Sequence, residues 1–126
     1  IARALANVQS ELTQAGTVMG TATYISPEQA QGMEVDPRSD LYSLGVMIYE
    51  MLSGHPPFTG ETPVAVAYQH VQDSPISLRA AGVSVAESLE AVTMKLLAKN
   101  PVNRYPTAED LRSDLRRYQP KSWPIY

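Results

Sequence analysis

Few residues in this 126-residue chain have types and spacing that could do chemistry, and most of them gather near one stretch. Between Gly20 and Gly32 the sequence reads GTATYISPEQAQG. It sets Thr21 and Thr23 beside Tyr24 and Ile25, then makes a Ser-Pro-Glu step through Ser26, Pro27 and Glu28. That is an odd composition for an ordinary loop or helix. Upstream lie more hydroxyls, Ser10, Thr13 and Thr17, which on a purely local reading are solvated loop groups. His55 and His70 have no partner at metal-ligand spacing and there is no cysteine, so no metal site is expected and His55 and His70 are read as structural or solvent-facing. The absence of cysteine also excludes disulfides and fits a reducing compartment.

The bulk composition narrows the class. The chain is long enough for one compact domain and not comfortably for two. Hydrophobic residues make up 44% and charged residues 18%, a globular rather than a disordered balance. A formal net charge of -3, with no basic cluster longer than Arg116-Arg117, gives no footprint for nucleic acid. No signal peptide is visible in IARALANVQSE. The longest apolar stretch, residues 41–52, is broken by Glu50 and is too short to span a bilayer, so a soluble chain is expected.

The elements that must position these residues are helical. Residues 1–26 read as a long polar loop with short extended pieces at most. Long loops inside compact domains are usually functional or mobile. A short helical turn follows over 27–31. The strongest helix is VDPRSDLYSLGVMIYEMLSG, where Asp36 can cap, Pro37 suits the first helical position and Gly54 ends it. Its apolar residues cover more than one face, as in a helix central to a larger protein, and Met47 and Met51 are expected in the core. Asp40 lies in its first turn, where the macrodipole favours a carboxylate. A second helix runs from Pro63 to Val71, after Thr62. Ser84 and Glu87 form a capping-box pattern before Val85, Leu89, Val92, Leu96 and Leu97. Asn100-Pro101 stops that helix, and Thr107 with Asp110 starts a last one carrying Ala108, Leu111, Leu115 and Tyr118. The tail QPKSWPIY reads as a linker.

Taken together, GTATYISPEQAQG, SDLYSLGVMIYEMLSGHPPF and the stretch from Asn100 to Arg104 resemble the second half of a protein kinase domain. In particular they resemble bacterial eukaryotic-like serine/threonine kinases, among them actinobacterial membrane-anchored members with extracellular PASTA modules. Ile1-Ala2-Arg3 resembles what directly follows the kinase Asp-Phe-Gly triplet. The resemblance implies a mainly α fold, a partial kinase large lobe: an activation segment over 1–28, a helical subdomain over 29–118 around a central buried helix, and a tail over 119–126.

It also implies roles. Thr21 matches the threonine that touches the catalytic aspartate, and Thr21, Thr23, Tyr24 and Ile25 fall in the segment that cradles the peptide substrate. Glu28 matches the glutamate of Ala-Pro-Glu, and Arg104 its ion-pair partner. Asp40 matches the aspartate that accepts hydrogen bonds from the catalytic-loop backbone. Thr13 and Thr17 lie where activation-loop phosphates are carried, and a phosphate there orders the loop by pairing with arginines. The complete kinase would use ATP and Mg²⁺ on protein substrates in the cytoplasm, and the helix 63–71 is where related kinases dimerise or dock partners.

The sequence contains no G-x-G-x-x-G, no strand lysine motif and no His-Arg-Asp run. Those parts position and stabilise the transferred phosphoryl group. The expectation is therefore roughly half a kinase domain, inactive alone and binding no cofactor by itself, with an apolar patch that favours self-association. The competing reading is a non-catalytic, pseudokinase-like module that binds protein partners.

Overall fold

A computed structural model describes residues 22–117. Thr13, Thr17 and Thr21, the extended pieces expected before residue 22 and the tail after residue 117 lie outside the described residues. Among the described residues, 22 and 23 are helical where a loop was expected, and five α-helices and one 3-10 turn follow in order: α1 Pro27–Ala30, α2 Pro37–Ser53, α3 Pro63–Gln72, α4 Glu87–Leu96, the turn Pro101–Asn103 and α5 Ala108–Arg117. No strand occurs among the described residues. No helix among them is long and apolar enough to cross a membrane.

Local chemistry places most of the helix ends. Asp36 accepts the Arg38 amide at 2.8 Å and Pro37 stands first in α2, while Gly54 closes it in the left-handed region at φ 88°. Thr62 caps α3 through the Ala65 amide at 3.1 Å, and Thr107 accepts the Asp110 amide at 3.1 Å before α5. The start of α4 departs from expectation. Its N-cap is Ala86, with no side-chain cap, and Ser84 lies two residues too early to serve. The carboxylates of its first turn turn instead to the preceding loop. Glu90 accepts the Arg79 amide at 2.7 Å, and Glu87 faces the Arg79 guanidinium at 3.9 Å.

α2 packs on α4, α4 on α5, and α1 on α3. Leu41 meets Val92, Leu96, Tyr105 and Leu111 on one side of α2, and Tyr42, Val46 and Tyr49 gather Leu78 and Leu97 on another. α2 and α4 approach closely at Gly45, where an added Cβ would stand 2.7 Å from the Leu96 Cβ. Gly45→Ala gains helix propensity of about 1 kcal/mol. It should nevertheless destabilise the fold by about 1–2 kcal/mol net, since overpacking a close contact costs more. Urea unfolding of a complete domain carrying this stretch checks the sign.

The expectation that Met47 and Met51 are core does not hold. Met47 is 49% and Met51 79% exposed, and Leu44 beside them on the same stripe is 36% exposed. The described residues cover α2 on the sides that face α4, the Leu78 loop, the stretch 24–28 and His70 of α3, and they leave this stripe bare. The central helix is thus buried on part of its circumference among the described residues, not all round.

Candidate functional site

The stretch that opened the sequence reading is built as a short shelf ending in α1. Ser26 caps α1 by accepting the Gln29 amide at 3.2 Å, and the Gln29 side chain accepts the Ser26 amide at 2.9 Å. This reciprocal cap was present in the sequence as Ser-x-x-Gln but went unread. It fixes α1 so that Pro27, Glu28 and Ala30 face inward.

Glu28 meets Arg104 across 76 positions of sequence in a two-pronged pair, with N–O distances of 2.7 and 2.9 Å. The two side chains are 7% and 0% exposed. Arg104 spends its other donors on backbone carbonyls: Nε on Ala98 at 2.8 Å, Nη1 on Arg38 at 3.0 Å and Nη2 on Lys99 at 3.1 Å. Every N–H of the guanidinium therefore has an acceptor. Ser39 Oγ donates to Glu28 at 2.6 Å, and the guanidinium lies 4.9 Å from the centre of the Tyr42 ring. Burial alone would push the Glu28 carboxyl up, but hydrogen bonds from Arg104 and Ser39 outweigh it and hold the pKa below the ordinary carboxylate value. The pair ties α1 to α2 and to the turn before α5.

The other end of the shelf is held separately. His70, fully buried on α3, lies 3.0 Å from the Thr23 carbonyl through Nε2 and 2.7 Å from the Tyr42 hydroxyl through Nδ1. The Tyr24 hydroxyl donates to Glu50 on α2, and the Tyr24 carbonyl accepts Ser43 Oγ at 2.6 Å. The Glu50 bond, then burial and the Glu50 charge, raise the Tyr24 hydroxyl above its ordinary pKa. Ile25 packs against the buried groups Ala22, Phe58 and Val66, and against Ala30 and Ala67.

Of the residues singled out in the sequence, the structure brings together Thr23, Tyr24, Ile25, Glu28 and Arg104. It leaves Asp40 apart: exposed in the first turn of α2, with no hydrogen-bond or ion-pair partner among the described residues. Of the two histidines read as structural or solvent-facing, His70 is buried and His55 is exposed. Sequence reasoning gave no site role to Ser39, Tyr42, Ser43, Glu50 or His70. No local pattern marks them, because each meets the shelf through a distant part of the chain. No group of three His, Cys, Asp or Glu able to hold a metal occurs among the described residues.

Comparison with known proteins identifies the class. The protein kinase domain family model matches residues 2–115, and the chain belongs to that family. Among its relatives, serine/threonine-protein kinase PknB of Mycobacterium tuberculosis is 56% identical over 117 residues, which is 93% of this chain. PknB of Mycobacterium leprae is 58% identical over 119 residues, and a probable PknB of Bifidobacterium longum 46% identical over 125, or 99% of this chain. The chain spans 19% of the length of the two mycobacterial kinases and 18% of the Bifidobacterium one.

Proposed function

We propose that this chain is the peptide-substrate side of a serine/threonine protein kinase, in which a complete enzyme transfers the ATP γ-phosphoryl group to serine or threonine of proteins. The observation that carries the reading is the shelf at residues 23–28, clamped at one end by Glu28 and Arg104 and at the other by His70. A backbone held in one conformation by buried groups is what positioning a peptide hydroxyl requires, since orientation contributes much of the rate in such transfers.

Thr21 is the residue proposed to face the catalytic aspartate, with Thr23, Tyr24 and Ile25 lining the seat. Asp40 is assigned to the catalytic-loop backbone, and Thr13 and Thr17 to activation-loop phosphorylation. The segment boundaries proposed are 1–28, 29–118 and 119–126. We place the activity in the cytoplasm, with protein substrates, and assign partner docking or dimerisation to α3, where Tyr68 is 48% exposed.

ATP and a divalent metal come with the kinase family. The residues described here do not fit them: they include no glycine-rich phosphate loop and no cluster of metal-binding side chains. The role left to this stretch is to hold the peptide.

Labelled ATP separates the possibilities. This chain alone is expected to transfer no label to a basic carrier protein, whereas a complete kinase domain containing it should label serine and threonine. Transfer by the chain alone would sink the division of labour, and a complete domain that binds protein without transferring label would favour the non-catalytic module.

A further inference from the structure

We infer that His70 is a positioning residue for the peptide seat, holding the Thr23 carbonyl in place through a single fixed tautomer of its imidazole. This deepens the function proposed above and rests on it for the word seat, though not for the geometry.

A carbonyl oxygen can only accept, so the 3.0 Å contact with Thr23 requires the proton to sit on Nε2. Nδ1 is then the acceptor for the Tyr42 hydroxyl at 2.7 Å. The ring has no remaining hydrogen-bonding capacity, and aromatic edges fix its plane. Tyr42 lies 5.6 Å and Phe58 5.0 Å away between ring centres, both near perpendicular. His70 therefore ties the Thr23 carbonyl to the placement of α2 and α3. An apolar residue of the same size would fill the space but offer the carbonyl no donor and the hydroxyl no acceptor.

The charge state supports a constant role. From α2 the facing titratable group is Tyr42, whose hydroxyl burial pushes up, so it stays a neutral donor. The charged side chain whose field reaches the ring is Lys99, its Nζ 4.6 Å from the centre of the Phe58 ring, and it disfavours an imidazolium. The Thr23 and Ala22 carbonyls favour the imidazolium but are outweighed by burial, which holds His70 down to about 4. Throughout the neutral range the same tautomer persists.

Two amide substitutions split the ring's contacts. His70→Gln places its NH₂ near the position of Nε2 and can serve Thr23, while His70→Asn places its amide near Nδ1 and can serve only Tyr42. In a complete kinase domain carrying this stretch, H70N should raise the peptide KM about fivefold, the scale of one lost hydrogen bond. Its ATP KM and kcat should change less than about twofold, and backbone amide exchange should quicken over residues 22–26 alone. H70Q should keep the peptide KM within about twofold of the parent. Equal peptide KM values for H70N and H70Q would overturn the assignment, as would a parallel worsening of the ATP KM, which marks general loosening. If the parent domain phosphorylates no peptide, the proposed function fails. The exchange contrast then decides the role of His70 by itself: faster exchange in H70N than in H70Q upholds it, and no contrast refutes it.

Discussion

Replacing either Glu28 or Arg104 with alanine is expected to destabilise a complete domain carrying this stretch by about 3–5 kcal/mol, because each change strands the other charge in a buried site. The numbers of partners set the scale. Arg104 gives all its donors to acceptors, and losing Glu28 removes the only charged one among those found. Losing Arg104 leaves Glu28 with Ser39 as its side-chain donor and a carboxylate that burial penalises. The double substitution removes both charges, so it should cost far less than the sum of the singles. Urea unfolding of the four proteins gives the cycle, and clean additivity would refute the pairing. Acid bears on the same pair. The folded-state pKa of Glu28 lies below the ordinary carboxyl value of 4.5. Its stabilisation is therefore fully present above that value and is lost as pH falls through the lower, folded-state one.

A second loss of stability should begin at milder acidity and come from His70. Its pKa is lowered from 6.5 to about 4, mainly by burial. The unfolded chain takes up the proton first, so stability is whole above pH 6.5 and declines as pH falls towards 4. The full decline is on the order of 3 kcal/mol, from the linkage between a pKa shift and free energy. His70→Phe should be less stable at pH 7 yet flat across that window. A variant that declines as steeply as the parent would assign the acid response to other groups. The His70 window opens at higher pH than the Glu28 one, so a fall in melting temperature between pH 6.5 and 4.5 should vanish in H70F and persist in a Glu28→Gln background.

The legible part of this protein was the part written locally. Asp36-Pro37 and Gly54 bounded α2, and Thr62-Pro63 opened α3, because a cap and the amide it serves lie within a few residues of each other. The same local logic misjudged Ser84. Its spacing to Glu87 fits a capping box, but α4 begins after Ala86 and its acidic first turn serves the loop at Arg79. Met47 and Met51 erred in another way. Helical spacing said that a face was apolar, and it could not say whether the described residues would cover that face.

The shelf divides along the same line. Through its resemblance to kinases the sequence named Glu28, Arg104, Tyr24 and Ile25, and by itself it determined the family, the helical class and most of the helix boundaries. What it left open was how the shelf is held. Ser39, Ser43, Glu50 and His70 reach residues 23–28 from 11 to 47 positions away, and Tyr42 in turn meets His70, through contacts that exist only once α2 and α3 have docked. Caps are decided by neighbours in the chain, and their chemistry can be read there. A buried carbonyl takes whichever donor the packing brings within 3 Å, and only the tertiary structure makes that choice.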